Sequence, residues 1–580
     1  MPALYIVVAG VVSSPAREPS FITLLQGENR MENWKPLSEA EQARYNTINK
    51  DNMEFLANRY NRVNRWVIAD MLRRSRYRFP DKPALIFGDQ TLTYNTLEDE
   101  CNKVANSLME LGVERYDRVA ILAHNTIHHV LTWFGCCKIG AIYLAVNYML
   151  RGKDIAYCIN HSESKVFIVE DALYDSVKDV LAEMPTVKTL IWSNQGSGKP
   201  PVDGRFRDFD DWYRNCSPEE PDTILHIEDP CQMTYTSGTE ALPKGVILNN
   251  QALMAQYMGA IVDGQYDDDD INVNALPIYH CAQRDVFMTP IFWLGGTNVL
   301  AVPDVGLILK SIARYRATMF FAPPTVWIGM LRHPDFAKFD LSSLKKCYYG
   351  ASIMPVEILK EIVEKFPETK IYNYYGQTEL APYHTILKAK DALNKLGSAG
   401  MAGLNMESRL EDESGKPVET AGSPGEICGK GAHALTMYFK EPEKTEDVMR
   451  GGWFHSGDVG VLDDDRYIMV VDRKKDMIKT GGENVSTREV EEVIYQDSRV
   501  QEVAVIGLNH PKWVEAVVAV VVPKRGETIQ EQEIIGLCKR ELAPFKIPKA
   551  VLFREELPKT PSGKILKRDM RKIYGDLFTK

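Results

Sequence analysis

From Trp66 onward, short apolar runs alternate with segments whose apolar residues recur every three to four positions. Ala84–Phe87 reads as a strand, Gly88-Asp89 as a turn and Leu92–Tyr94 as the returning strand. Leu97, Cys101, Val104, Ala105, Leu108 and Leu111 then recur at helical spacing and stop at Gly112. The alternation runs on through Val119–Leu122 (strand), Ile127–Cys137 (helix), Ala141–Val146 (strand), a further helix and Val166–Val169 (strand). Residues 185–225 are polar and rich in Gly and Pro, which predicts an irregular surface excursion. Beyond them Asn249–Val262 predicts a helix, and Ile271–Leu276 a strand ending at Pro277. Phe287–Trp293 predicts a helix, weakened by Pro290. Asn298–Val302 and Thr318–Ala322 are strands, and Pro323-Pro324 breaks the chain before an apolar helix with Trp327 and Leu331. Lys346–Tyr349 and Ile371–Tyr375 are strands that end in the polar turns Gly350-Ala351-Ser352 and Gly376-Gln377-Thr378-Glu379. Such strand ends are the usual place for ligand contacts in α/β sheets. The alternation as a whole predicts a layered α/β domain.

Residues 397–471 differ: helical periodicity fades, Gly, Pro and short strands dominate, and a β-rich subdomain is expected. The charged run Asp472-Arg473-Lys474-Lys475-Asp476 has no apolar period and suits a linker. The rest predicts a small α+β domain. Ser486 with Glu489 forms a capping-box signature before a helix with Val490, Val493 and Ile494 on one face. Val503–Ile506, Ala516–Val522 and Val551–Phe553 read as strands, and Gln530–Leu542 as a helix. At the other end Leu4–Val12 is apolar but lacks a basic leader. The expected plan is an extension over residues 1–30 with the working chain starting near Met31, a large domain over 31–473 and a small one over 474–580. No run of about twenty apolar residues predicts a membrane-spanning helix.

Composition narrows the class. The 580 residues are 44% hydrophobic and 26% charged, as in soluble globular proteins, and the net charge of −10 argues against general nucleic-acid affinity. Asp267–Asp270 reads as a solvated loop rather than a metal site. The ten cysteines form no CxxC pair, which predicts buried free thiols in a reducing compartment and a cytoplasmic protein. Cys136 and Cys137 lie in an apolar helical run and are expected in the core.

Thr234–Val246, TYTSGTEALPKGV, concentrates the chemistry: five hydroxyls, two glycines and Lys244. Successive N–H groups in such a loop make an anion nest. The stretch reads as a triphosphate clamp or as an ordinary Ser/Thr/Gly turn; it is not a Walker A loop, because Pro243 precedes Lys244 and Gly245 follows it.

Seven segments in series, YTSGTEALPKGV, LPIYH, YYGAS, YYGQTE, WFHSGD, DRKKDMIKTGGENVS and PKTPSGK, span Tyr235 to Lys564. In that order the chain resembles the acyl- and aryl-CoA synthetases of the adenylate-forming superfamily, which includes luciferase and the adenylation domains of peptide synthetases. The resemblance implies a large α/β and β domain of several subdomains and a small mobile α+β C-terminal domain. It implies ATP, Mg²⁺ and coenzyme A, and two half-reactions: a carboxylate attacks the α-phosphate to give acyl-AMP and pyrophosphate, and a thiol then releases AMP.

By resemblance Thr236, Ser237, Gly238, Thr239 and Lys244 hold the β- and γ-phosphates, where each preorganised donor can contribute roughly 3 kcal/mol. Glu240 and Ala241 stand where Thr and Gly are commoner, and Glu240 is left without a role. Glu379 is the implied Mg²⁺ ligand, and Thr378 donates to the α-phosphate. Tyr375 stacks on adenine and Asn373 reads its amino group, with Gly350, Ala351, Ser352, Tyr374 and Gly376 in the same slot. Asp458 accepts from the ribose hydroxyls and Arg473 adds a ribose or phosphate contact. Lys564 stabilises charge during adenylation. Lys475 falls at the hinge, whose rotation brings Gly481 and Gly482 to a thiol tunnel.

His280 is either a satisfied core histidine or, by resemblance, a gate of the acyl pocket; Trp327, Phe320 and Phe321 either wall the acyl channel or pack the core. No aspartate follows the aromatic of LPIYH, which disfavours an amino-acid substrate. Apolar Ile278, Val286, Phe287 and Met288 favour a fatty or aryl carboxylate, with a medium- or long-chain fatty acid preferred, and Arg284 or Asp285, if facing the pocket, would admit a polar tail. Delivery to a carrier protein, a luciferase-like oxygenase and a non-catalytic sensor are the rival functions. Peripheral membrane contact and a homodimer stay open.

Overall fold

Near-continuous apolar strands demand cover on both faces, and the chain provides it by stacking helices against large, mainly parallel sheets. The computed structural model describes residues 50–197, 204–236, 243–352, 354–473, 476–480, 483–560 and 563–578. The chain divides into two units, Met1–Arg59 and Tyr60–Lys580. The first is described over one helix, Lys50–Arg59. The extension expected over residues 1–30 and the start near Met31 lie outside the described residues.

In the second unit an eight-stranded sheet runs in the order Met437–Tyr438, Lys244–Asn249, Pro230–Thr236, Ile142–Ala145, Arg118–Leu122, Val166–Glu170, Thr189–Ser193, Phe206–Asp208. From Pro230–Thr236 to Phe206–Asp208 its neighbours pair in parallel. A nine-stranded sheet runs Met401–Ala402, Thr385–Leu387, Lys370–Tyr375, Lys346–Gly350, Met319–Ala322, Ile271–Asn274, Thr297–Leu300, Pro83–Phe87, Gln90–Thr93. Helix Ile127–Ile139 is buried along its whole length, as its apolar composition requires. The Thr126 side chain caps its start and Gly140, at φ 71°, its end.

Three expectations change here. Residues 185–225 are not an irregular excursion: Thr189–Ser193 and Phe206–Asp208 extend the eight-stranded sheet, and helix Phe209–Tyr213 follows. Buried Trp192 and Phe206 pack edge to face and outweigh the polar residues between them. The helix around Pro290 is two pieces. A π-helix, Ala282–Met288, comes first, and Pro290 stands in the opening turn of Thr289–Leu294. Asp270 also departs from the solvated-loop expectation. It is buried against Lys346 and accepts from Thr318 Oγ1 at 2.7 Å, while Asp267–Asp269 stay near the surface.

Within 397–471, Met406–Glu411, Pro424–Gly431, Phe454–Leu462 and Ile468–Arg473 form an antiparallel four-stranded sheet. C-terminal to it, Val500–His510, Val514–Pro523, Ile478–Thr480, Glu483–Val485 and Ala550–Phe553 form a five-stranded sheet covered on both faces. Val503, Val505, Val517 and Ala519 meet helices Thr487–Ile494 and Glu531–Glu541, whereas Ala504, Ile506, Val518 and Val520 meet Met570. Alternate residues serve opposite faces, hence the unbroken apolar runs. Only half of the expected capping box forms: Ser486 Oγ accepts from Glu489 N at 3.3 Å, but the Glu489 carboxylate holds Lys546 at 2.6 Å. A complete box joins Gln530 and Glu533 instead. All ten cysteines are free and all but Cys216 are buried, Cys136 and Cys137 in the core. Among the described residues no helix is long and apolar enough to cross a membrane.

Candidate active site

Strands Met319–Ala322, Lys346–Gly350 and Lys370–Tyr375 are parallel neighbours, so their carboxyl ends share one edge of the sheet. They lead into Pro323, into Ala351-Ser352, and into Gly376 through Glu379. Gly350 cannot be larger: a Cβ there would lie 2.4 Å from the Tyr374 carbonyl oxygen. Ala351 is left-handed at φ 62°, a conformation that costs a non-glycine residue free energy and clusters at functional sites.

One side of this edge is built on Asp458. Strand register sets Asp458 opposite Arg473, with Arg473 Nε 3.5 Å from Oδ1. The Tyr375 hydroxyl donates to Asp458 Oδ2 at 2.8 Å and Gln377 Nε2 donates to the same oxygen at 3.0 Å. Burial, then the Asp458 charge, pushes the Tyr375 hydroxyl well above its ordinary range, so it stays a donor. Asn373 Nδ2 donates to the Ser398 carbonyl at 2.8 Å. Gln377 was not singled out in the sequence, although it lies inside YYGQTE.

The second side is built on Glu379 and Lys244. Half of the expected donor-rich loop is strand: Pro230–Thr236 and Lys244–Asn249 pair antiparallel, with Thr236 opposite Lys244. Ser237, Gly238, Thr239, Glu240 and Ala241 lie outside the described residues. Tyr438, paired with Val246, holds the two sides together. Its hydroxyl donates to Glu379 Oε1 at 2.9 Å, and Lys244 Nζ lies 4.9 Å from its ring centroid. Burial pushes the Glu379 carboxyl up, opposed by the Tyr438 hydrogen bond, Lys244 and Arg473. Among the described residues the clusters with three metal-ligating groups, Glu411-Cys428-His455 and Asp267-Asp268-Asp269, do not include Glu379. A lone carboxylate with the Lys244 ammonium nearby fits Mg²⁺, which keeps water and phosphate oxygens in most of its positions.

The third side is a small recess lined by Leu276, Pro277, His280, Ala282, Gln283, Phe321 and Ala351. His280 Nδ1 accepts from the Ala282 N–H at 3.2 Å, so the neutral ring carries its proton on Nε2. Burial, then the charges of Lys564 and Arg284, pushes His280 down to about 4. Cys281, next in sequence, lies 3.2 Å from Thr378 Oγ1 and ties the two motifs together; burial pushes its thiol up to about 12. Lys564 arrives on a turn closed by Lys564 N to Thr560 Oγ1 at 3.0 Å. That turn docks on the large domain through Thr325 Oγ1, which donates to the Gly563 carbonyl at 3.0 Å.

Several expected wall residues are elsewhere. Phe320 and Trp327 pack in the core, with Trp327 Nε1 on the Tyr348 carbonyl at 3.2 Å; Phe321 alone of the three lines the recess. Arg284 and Asp285 do not offer a charge to a substrate tail. They are 1% and 0% exposed and bonded to each other at 2.9 Å, and Arg284 also donates to Gln232 Oε1 at 2.7 Å. Buried charges persist only when paired in this way. Lys475, Gly481 and Gly482 lie outside the described residues.

Residues 72–439 match the model of the AMP-binding enzyme family, and residues 489–564 that of the AMP-binding enzyme C-terminal domain. The chain is 34% identical over 506 residues to a feruloyl-CoA synthase of an Amycolatopsis species, covering 87% of this chain and 98% of the relative. It is 31% identical over 529 residues to a long-chain-fatty-acid–CoA ligase of Bacillus subtilis, covering 86% and 93%. Among solved structures, the anthranilate CoA ligase AuaEII in complex with anthranoyl-AMP superposes with a TM-score of 0.82 at 27% identity, covering 88% of this chain and 98% of that one.

Proposed function

We propose that this chain, which belongs to the AMP-binding enzyme family, is an aryl-CoA ligase that activates an aromatic carboxylic acid as its adenylate and passes it to coenzyme A. The observation that carries the aryl reading is the small recess beside His280. Phe321, Pro277 and Ala351 line it and offer an aromatic ring an apolar surface. A feruloyl-CoA synthase and an anthranilate ligase among its relatives agree with this. The long-chain ligase of Bacillus subtilis and the apolar recess walls favour the fatty-acid reading expected from sequence, which is the second possibility.

In this reading the acid lies in the recess with its carboxylate toward Lys564. The Lys564 ammonium brings carboxylate and α-phosphate together and offsets the charge that grows between them. Thr378 donates to the α-phosphate. Lys244 and the loop after Thr236 hold the outer phosphates, and Asp458 accepts from the ribose hydroxyls. Glu379 would hold magnesium, which would neutralise charge on the triphosphate. Neutral His280 offers an Nε2–H donor and takes no proton. After pyrophosphate leaves, the small domain, taken as residues 474–580 hinged near Lys475, withdraws Lys564 and admits the thiol beside Gly481 and Gly482. The test is AMP release that depends on ATP and coenzyme A, measured with cinnamate and benzoate derivatives against octanoate and palmitate. The aryl acids are expected to lead in kcat/KM by at least about tenfold; a lead for palmitate would overturn the aryl reading.

A further inference from the structure

Gln283 follows His280 by three residues and lines the same recess, yet it is only 1% exposed. Its amide has a determinate orientation, set by a relay of buried side chains. Asn298 Nδ2 donates to the Met288 carbonyl at 3.1 Å, which makes Asn298 Oδ1 the acceptor for its neighbours. Asn274 Nδ2 and Asn272 Nδ2 donate to that oxygen at 2.9 and 3.2 Å. Asn274 Oδ1 is thereby turned toward Asn272 Nδ2 at 2.9 Å and Gln283 Nε2 at 2.8 Å. A backbone carbonyl, which can only accept, thus dictates every amide up to Gln283. Two acceptors of the relay, Asn272 Oδ1 and Gln283 Oε1, are buried without a hydrogen-bond partner, and of these two residues Gln283 lines the recess. Leaving such an acceptor unmade costs a folded protein free energy, and Gln283 lines the recess with His280 and Phe321.

We propose that Gln283 is a specificity-determining residue whose Oε1 accepts a hydrogen bond from the substrate, so that the acid activated is an aryl carboxylic acid bearing a hydroxyl donor on its ring. The inference rests on the aryl reading and adds a chemical requirement to it. Oε1 has no proton to give, so a methoxy group in place of the hydroxyl does not satisfy it and leaves two acceptors facing each other. Leu276, Pro277 and Ala282 of the same lining have no donor side chain, and the His280 ring, which has one, makes no hydrogen bond to Oε1.

The experiment compares kcat/KM for cinnamate with its 3-hydroxy, 4-hydroxy, 3-methoxy and 4-methoxy derivatives, in the wild-type protein and in Gln283→Met. In the wild type one hydroxy acid is expected to exceed both cinnamate and its own methoxy counterpart by about 10- to 100-fold. In Gln283→Met that ratio is expected to fall to within about threefold of one. Equal use of hydroxy, methoxy and plain acids by the wild type overturns the inference and leaves the aryl reading standing. Retained discrimination in Gln283→Met overturns it too. Failure to turn over any of these acids while palmitate is used overturns both. The wild-type comparison does not depend on how well the variant folds.

Discussion

Gly563 carries the contact that places Lys564, and a single methyl group tests it. Gly563 sits at φ 79°, and a Cβ built there lies 2.5 Å from Thr325 Oγ1 and 2.8 Å from Pro323 Cγ. Gly563→Ala therefore has two separate costs. The left-handed backbone is worth about 1–2 kcal/mol against alanine. It is held by bonds inside the Thr560–Lys564 turn, so it weighs on docked and undocked forms alike. The collision with Pro323 and Thr325 exists only in the docked form, and overpacking of that kind costs about 1–3 kcal/mol. At about 1.4 kcal/mol per tenfold, the docked population falls by about 5- to 150-fold. The assay separates the half-reactions: pyrophosphate–ATP exchange with the acid for adenylation, and thioester formation from synthetic acyl-AMP and coenzyme A for transfer. Adenylation is expected to fall by that factor while transfer stays within about threefold. Adding Thr325→Ala to Gly563→Ala removes the 2.5 Å contact and is expected to restore part of the loss, although it also removes the Thr325 hydrogen bond. Equal losses in both half-reactions, or no loss in adenylation, would refute the docking argument.

Three other outcomes follow from the site. Glu379→Gln keeps the shape but not the charge beside Tyr438, so the Mg²⁺ concentration for half-maximal rate is expected to rise about tenfold or more; an unchanged Mg²⁺ dependence would remove Glu379 from the metal. Asp458→Asn places an amide where Tyr375 and Gln377 both donate, and KM for ATP is expected to rise about 10- to 100-fold, with KM for the acid as the control that should move far less. Burial holds His129 and His384 at about 3 and His433 at about 4, below the ordinary value of 6.5, so all three are neutral when folded. The unfolded chain takes up their protons below about pH 6.5, so this stability is complete above that pH and is lost as pH falls toward 4, at about 1.4 kcal/mol per pH unit for each histidine. Thermal midpoints at pH 7.5, 6.5, 5.5 and 4.5 should drop across the lower half of that series and drop less steeply in His433→Gln; equal slopes would count against the assignment.

What could be read from the sequence was local. Lys346–Gly350 and Lys370–Tyr375 announce themselves by apolar runs that stop at glycines, and the site lies where those strands end. Helix Ile127–Ile139 was legible from its apolar composition, read as ending two residues early at Cys137. The misreadings came from tertiary packing. Thr189–Ser193 and Phe206–Asp208 are strands because Trp192 and Phe206 meet across the sheet, which no window along the chain reveals. Trp327 was an equal candidate for channel and core until its indole proved to sit on the Tyr348 carbonyl. Arg284 and Asp285 looked like possible substrate contacts because their mutual pairing, and Gln232, cannot be seen in one dimension. Tyr438, Gln377 and Cys281 escaped notice for the same reason: each matters through a partner 59 to 97 residues away. Only Gln377 lay within a motif that could have drawn attention to it.

The central claim is that Lys564, Thr378, Glu379 and Lys244 form one adenylating centre serving a thiol-transfer step. Its most direct test is a single-turnover experiment followed by mass spectrometry with the preferred aryl acid. Without coenzyme A, acyl-AMP and pyrophosphate should form in amounts stoichiometric with the protein, and adding coenzyme A should convert the adenylate to thioester with release of AMP. Formation of ADP and an acyl phosphate, or an adenylate that coenzyme A never consumes, would contradict it.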